Sequence, residues 1–552
     1  MSFSRQAQFK KLADSYDICV IGGGATGAGV ALDATLRGYK VIVIERGDFA
    51  SQTSSKSTKL VHGGVRYLEQ AVKNLDWQQF KMVYKALHER KIMLQNAPHL
   101  AHPLALLTPC YSWFDRAYYR IGMWLYDKIA GATNLKDSRG LNKKEIQKEV
   151  PALNLKKIVG GILYYDGQMN DSRYALSILQ EAERLGATVL NYTELSSFTC
   201  SHKSLKIKEV LVKDLIGNKE FQFNVRAVVN ATGPFTDKIR KLANPNLQER
   251  MKVSRGAHIV LEKKFWPGDT ALLIPKTDDG RVVFLLPWRG YVLVGTTDDA
   301  DKLSENPIIF EEEKTYLLEY FNRFALEKAS PSDIKAGFVG LRPLLQVQLQ
   351  TAMQADTKSI VRDHEVEVDR RSKLVSIMGG KWTTYRIMAE DTLDILEAEV
   401  LHVPKSPCLT KNHPIMGGEY FDADLFLNSK ILTSETRRHL YETYGSLAPR
   451  VIEFCQNIPK GTELLLDGLP YLQGEIDYLK KHEMATCWDD VVNRRWGIGL
   501  RDEALGRKLE DKKKRGFRLY FLILIFIKEE IVFGRIIRPN FFDTFERLSI
   551  IF

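Results

Sequence analysis

Between the apolar run YDICVI at 16–21 and a second run, VIVI, at 41–44, the chain places Gly22, Gly24 and Gly27 in the spacing G-x-G-x-x-G. A strand, a glycine turn and a helix leading to a parallel strand make a βαβ unit. In it the first glycine permits the tight turn, the second lets the backbone approach a pyrophosphate, and the third lets helix and sheet pack closely. The helix start offers unpaired N–H groups and the positive end of its dipole to phosphate. Glu45 closes the second strand, where an acid hydrogen-bonds a ribose hydroxyl and disfavours a 2′-phosphate. Strand, helix and acid together favour a dinucleotide site over an ordinary glycine-rich turn, without choosing between NAD and FAD.

Two later glycine turns sit at element ends. AVVNATG at 227–233 reads as a buried strand entering a small-residue turn at Gly233, and Gly379, Gly380 and Lys381 open a helix expected to run through Asp394. A cofactor domain assembled from several segments has such turns far apart in sequence. Between them, 254–261, 271–274, 282–286 and 291–295 are short β-rich runs separated by turn signals, which predicts an antiparallel sheet roofing a substrate site. Beyond 401 the pattern is helical and polar. The expected class is α/β. A Rossmann-like nucleotide-binding domain (1–90, 156–240 and 335–400) is interleaved with an antiparallel-sheet substrate or cap domain (91–155 and 241–334), followed by a C-terminal helical domain (401–511) and an atypical tail (512–552).

Composition removes several alternatives. At 44% hydrophobic and 27% charged residues, the 552-residue chain is of ordinary globular make-up rather than disordered, collagen-like or polytopic. Its net charge of +11 is modest and comes with no basic run interleaved with aromatics, so no nucleic-acid partner is expected. The six cysteines form no C-x-x-C pair and have no histidine at ligand spacing, so neither a disulfide framework nor a metal site is expected. The first residues are polar and lack the apolar core of a signal peptide, which reads as cytosolic.

The segment TSSKSTKLVHGGVRYLEQ at 53–70 is not explained by amphipathic patterning. Taken with IGGGATGAG at 21–29, NATGP at 230–234, SRGAHIV at 254–260, VGTTD at 294–298, GLRPLL at 340–345, IVRDH at 360–364 and GGKWTTYR at 379–386, it resembles the FAD-dependent sn-glycerol-3-phosphate dehydrogenases, a membrane-associated bacterial and mitochondrial family. The resemblance runs from about residue 16 to about 511. It implies non-covalent FAD, two-electron oxidation of glycerol 3-phosphate to dihydroxyacetone phosphate, and delivery of electrons to membrane quinone. The chain looks unlike the mitochondrial branch, because no calcium-loop pattern follows the catalytic part. Residues matching the motifs are then expected at the cofactor: Gly22, Gly24, Gly27, Glu45, Thr53, Ser54, Ser55, Gly233, Gly380, Lys381 and Thr384, although helix capping alone would explain the last.

The implied chemistry asks for fixed cations around a dianionic phosphate, and Arg is the best bidentate ligand for one. Arg66, Arg342 and Arg362 lie inside matching motifs, and Tyr67 adds a hydroxyl. Removing the hydroxyl proton calls for a base near neutrality, for which His258 and His62 are the candidates. Arg342 stays protonated and is read as orienting substrate oxygens and stabilising developing charge. The alternatives are a related flavin oxidase acting on an amine or amino acid, and a non-catalytic flavoprotein at a membrane surface.

No window reaches the ~18 apolar residues of a spanning helix. Segment 111–128, YSWFDRAYYRIGMWLYDK, places Phe114, Ala117, Tyr118, Ile121 and Leu125 on one helical stripe beside Arg116 and Arg120. It suits either a membrane-interfacial helix or a core or domain-interface helix. The tail from 512 holds nine Lys/Arg against four Asp/Glu and an apolar run, LYFLILIFI. It reads as a lipid-facing extension or as a segment without selected structure. The location expected is the cytoplasmic face of a bacterial inner membrane, or the cytoplasm, against an anionic lipid surface; a homodimer is left open.

Overall fold

The computed structural model describes residues 3–65, 68, 76–201, 205–346 and 364–512; Arg66, Tyr67, Arg362 and the tail 513–552 lie outside the described residues. Strand Ser15–Ile21 is apolar on both faces, with Ile18 and Val20 in one core cluster and Cys19 and Ile21 in another. Such a strand is stable only inside a sheet covered on both sides. It pairs in parallel with Val41–Ile44 and with Lys219–Asn230, as Val41–Ile44 does with Thr188–Leu190 and Lys219–Asn230 does with Val375–Gly379. Strand order therefore reverses beside Ser15–Ile21, and the carboxyl ends of Ser15–Ile21 and Lys219–Asn230 form the crevice where open α/β sheets hold ligands. Helices Ala25–Leu36, Asp171–Arg184 and Tyr385–Leu396 pack together beside this sheet.

The second sheet has ten strands in a mostly antiparallel arrangement. The β-rich runs expected between 254 and 295 fall in it, as Met251–Glu262, Ala271–Ile274, Val283–Trp288 and Tyr291–Gly295. Three further strands belong to the same sheet although their sequences fall in ranges expected of the nucleotide domain: Leu60–Val61, Gly160–Met169 and Ala336–Leu345. The physical reason is non-local pairing. Ala336–Leu345 runs antiparallel to Met251–Glu262 over ten residue pairs, and Gly160–Met169 runs alongside Ala101–Cys110 in the same way.

The polar, helical stretch after 401 forms its own cluster, in which Leu440, Val451, Leu472, Ile476, Leu479 and Trp496 are buried. Its helices include Ser434–Tyr444, capped by the Thr433 hydroxyl, and Gln473–Glu483; Asp490–Arg495 is a π-helical turn. The aromatic segment is helix Trp113–Ala130, started by a Ser112/Asp115 capping box. Met123, Tyr126 and Ile129 face inward, while Trp113 (69%), Phe114 (77%), Ile121 (66%) and Trp124 (53%) are exposed. A core position is thereby excluded for Phe114 and Ile121 of the stripe, whereas Leu125 packs against the core. Among the described residues, no helix is long and apolar enough to cross a membrane.

Candidate active site

At the crevice, Gly22 takes φ +110°, a left-handed conformation that glycine adopts without steric penalty. A Cβ on Gly27 would lie 1.9 Å from the Gly22 carbonyl oxygen, so the helix start can sit this close to the strand end only without a side chain there. The Ser54 hydroxyl accepts from Ala25 N at 3.0 Å, whereas the Gly24, Thr26 and Gly27 amides have no partner among the described residues. These free donors at a helix N-terminus fit a phosphate. The Glu45 carboxylate accepts from Gly23 N (2.7 Å) and Gly47 N (2.8 Å), and burial raises its pKa above the ordinary carboxylate value against those two hydrogen bonds. A cavity of about 460 Å³ runs along these groups, lined by Gly22, Gly24, Glu45, Thr53, Ser54, Gly233, Gly380 and Lys381. Its amide donors, its glycine cradle and its acid at the ribose position fit a flavin dinucleotide.

Three residues expected at the cofactor line neither cavity of the site. Gly27 acts through packing, as above. The Ser55 hydroxyl turns to the Gln52 carbonyl (3.3 Å), and Thr384 Oγ1 donates to the Lys381 carbonyl (3.2 Å), closing the turn before helix Tyr385–Leu396.

A second cavity, of about 360 Å³, brings together His62, His258, Arg342 and Lys381. The two cavities share Thr53, Pro343, Gly380, Lys381 and Trp382, so they meet at the glycine turn. The second cavity owes its side chains to the period of two along paired strands. Ser254, Gly256 and His258 stand opposite Arg342, Gly340 and Phe338, and directly paired residues share a face. The other face of Met251–Glu262 sends Ala257, Ile259 and Leu261 into the core with Val292, Val294 and Val339. Gly295, opposite His258 on the neighbouring strand, leaves room for the imidazole: a Cβ there would be 2.2 Å from His258 Cδ2. A Cβ on Gly256 would likewise fall 2.2 Å from Arg342 Nη2.

The Arg342 guanidinium is held by Asp298 Oδ1 (3.1 Å), Thr296 Oγ1 (2.8 Å) and the Arg255 and Thr297 carbonyls. Thr58 Oγ1 lies 3.0 Å from His258 Nε2, and the imidazole stacks on Phe338. Behind it, buried Lys59 binds both oxygens of Asp171 at 2.8 Å and sits over the Trp288 and Phe338 rings. Burial first, then the charges of Arg342 and Lys59, push the His258 pKa well below its ordinary 6.5. Sequence reasoning missed Gly256, Gly295, Thr58, Lys59 and Asp298. All five lay inside quoted motifs, and for the two glycines the local signal was a glycine within a strand, which marks close approach by another group.

A nucleotide sheet with its ligand crevice at the switch point, meeting a second, polar cavity under an antiparallel roof, is the architecture of an FAD-dependent oxidoreductase. Residues 17–370 match the family described as FAD dependent oxidoreductase, and 408–512 match the C-terminal domain of alpha-glycerophosphate oxidase. Mitochondrial glycerol-3-phosphate dehydrogenase of Mesocricetus auratus is 41% identical over 92% of this chain and 72% of its own length; the SDP6 enzyme of Arabidopsis thaliana is 39% identical over 92% and 84%. The crystal structure of glycerol-3-phosphate dehydrogenase from Bacillus halodurans complexed with FAD superposes with a TM-score of 0.74 at 29% identity, covering 94% of each chain. The chain belongs to the FAD-dependent glycerol-3-phosphate dehydrogenase family.

The two glycines that make room for the imidazole and the guanidinium give a direct check. Gly256→Ala and Gly295→Ala are each expected to lower the free energy of unfolding by about 1–3 kcal/mol, the usual effect of overpacking. Urea titration measures it, and parental stability in both variants would contradict the placement of Arg342 and His258.

Proposed function

We propose that the chain oxidises sn-glycerol 3-phosphate to dihydroxyacetone phosphate and passes the electrons to a membrane quinone. The observation that carries this reading is the junction of the two cavities at Gly380 and Lys381, with Arg342 and His258 on the substrate side. When bound, the flavin accepts the hydride leaving the carbon that bears the secondary hydroxyl. Arg342, steadied by Asp298, orients the substrate oxygens; Arg66 and Arg362 are assigned to the phosphate through their motifs, with Tyr67 adding a hydroxyl donor. His258 takes the hydroxyl proton: its imidazole is neutral near pH 7 and is fixed by Thr58 and Phe338. His62 lines the same cavity and is the second candidate. An amine or amino-acid substrate is less well served, because its carboxylate needs only one of the three arginines.

For the acceptor side, helix Trp113–Ala130 presents exposed aromatic rings with Arg116 and Lys128 lying over Trp113 and Trp124. Rings with basic flanks are what a helix uses to sit at the headgroup level of an anionic bilayer. The expectation of a bacterial membrane rested on a motif the chain lacks. The two curated relatives above are both mitochondrial enzymes, and this surface chemistry asks only for anionic lipid.

Anaerobic addition of glycerol 3-phosphate to the FAD-loaded protein is expected to bleach the flavin absorbance; a flavin that stays oxidised would sink the substrate assignment. His258→Asn should slow bleaching by about 10²–10⁴-fold, the usual worth of a general base. Because protonation disables the base and its pKa in the free protein lies well below 6.5, parental kcat/KM should show no fall near pH 6.5 and drop only in stronger acid. An acid limb centred at or above 6.5 would remove His258 from the role. Arg342→Lys keeps the charge but not the planar fork, and a drop in kcat/KM of about 10–100-fold is expected from the lost charged hydrogen bonds; near-parental kcat/KM would place Arg342 outside the site. In flotation assays with anionic vesicles, the triple variant Trp113→Ala, Phe114→Ala, Trp124→Ala should partition at least about tenfold less, given the worth of burying each ring. Unchanged partitioning would free this helix from lipid contact.

A further inference from the structure

The loop that follows Glu45 has two sides. One side is nucleotide cavity: Glu45, Gly47, Ala50, Ser51 and Gln52 all line it. From the other side Asp48 points away from the cavity, fully buried, into the C-terminal helical unit. There its Oδ2 accepts from Arg495 Nη1 (2.6 Å) and Arg494 Nε (2.5 Å), and its Oδ1 accepts from Arg495 Nη2 (2.9 Å) and Asn191 Nδ2 (3.2 Å). Both arginines belong to the π-helical turn Asp490–Arg495 and are themselves buried. Arg495 also donates to the Glu483 carbonyl (2.7 Å), and Arg494 to Asp490 Oδ1 (2.5 Å). Every strong contact of the Asp48 carboxylate apart from Asn191 thus comes from this π-helical turn of the C-terminal unit, 446 and 447 positions away in sequence.

We propose that this buried fork makes Asp48, Arg494 and Arg495 positioning residues for the flavin dinucleotide, so that the C-terminal unit sets how tightly the cofactor is held. The loop has further ties: Ala50 N donates to the Gly23 carbonyl (3.0 Å), Tyr192 N to the Gly47 carbonyl (2.8 Å), Gly47 N to Glu45 and Gln52 Nε2 to the Glu305 carbonyl (3.0 Å), and Phe49 is buried in the core; among these, the Asp48 fork is the buried ionic contact. A loop held in its bound shape before the ligand arrives spares the ordering cost of binding. A bidentate Arg–carboxylate contact fixes orientation as well as distance, which one hydrogen bond does not. Releasing Asp48 would loosen the middle of this turn, next to Gly47, Ala50 and Ser51 of the cavity wall. None of the three residues touches the nucleotide cavity, so their effect on the cofactor is transmitted through this loop.

The test measures FAD affinity of the apoprotein by quenching of flavin fluorescence, and apoprotein stability by thermal unfolding, in the full-length chain. Arg495→Lys retains the charge and loses the fork, and Asp48→Asn keeps the shape and loses the charge. The control is Glu181→Gln, which weakens the ion pair to His413 that joins the same two parts and involves neither the loop nor the fork. Both test variants are expected to bind FAD at least about tenfold more weakly than the parent and than Glu181→Gln at comparable apoprotein stability, a change of about one decade in Kd. Parental affinity in a folded Arg495→Lys would overturn the proposal. So would an equal loss in Glu181→Gln, which would assign the effect to docking of the C-terminal unit in general. If Asp48→Asn fails to accumulate, Arg495→Lys against Glu181→Gln decides.

Discussion

The rest of the structure depends on one close approach, that of Gly27 to the Gly22 carbonyl. With any side chain at 27, helix Ala25–Leu36 would have to retreat from the end of strand Ser15–Ile21. The same helix packs against Asp171–Arg184 and Tyr385–Leu396, so its position is inherited by both neighbours. Tyr385 lies so near Gly29 that a Cβ there would fall 2.8 Å from the ring, and helix Tyr385–Leu396 in turn begins at the Gly380–Lys381 turn shared by the two cavities. The spacing that opens a phosphate site at one end of the helix thereby sets where the substrate cavity meets it.

The second sheet solves a different problem, that of carrying polar side chains on a strand whose other face is core. Met251–Glu262 alternates strictly near the site, and two glycines, Gly256 within it and Gly295 on the neighbouring strand, act as sockets for groups projecting from adjacent positions. A glycine in a strand interior lowers sheet stability through backbone entropy and lost packing. Here the sockets hold His258 and Arg342 on a rigid surface rather than on loops, so their relative geometry follows from hydrogen-bonded register. A one-residue slip between Met251–Glu262 and Ala336–Leu345 would send Arg342 to the core face.

What the sequence made legible was local. The βαβ unit, the glycine turns and the strands at 271–274 and 291–295 are each fixed by residues within one short window, and the structure has them at nearly the same bounds. The membership of Leu60–Val61, Gly160–Met169 and Ala336–Leu345 in the second sheet was not legible, because it is decided by pairing with strands far away in sequence. The same holds for side-chain partners. Lys59 meets Asp171 across 112 positions and Asp48 meets Arg495 across 447, and a buried charge gives no periodic signal of its own. The exposure of Trp113 and Phe114 was undecided for a related reason: an apolar stripe looks alike whether protein or another apolar phase covers it.

His258 shows how these distant pairings combine into chemistry. Its two nearest cations are each held by a carboxylate, Lys59 by Asp171 and Arg342 by Asp298, and those carboxylates fix the cations in place without being among the groups that shift the imidazole. The histidine, itself buried, therefore experiences positive charge where charge acts more strongly than in solvent. That arrangement would be wasteful for a histidine meant to stay charged, and it is suited to one kept neutral as a proton acceptor. An anion brought into the same cavity lowers the free energy of charging the ring, beyond what the Gly256 backbone contact already does. On the reading proposed here, the phosphate of the substrate is that anion, so the base gains strength when there is a hydroxyl proton for it to take.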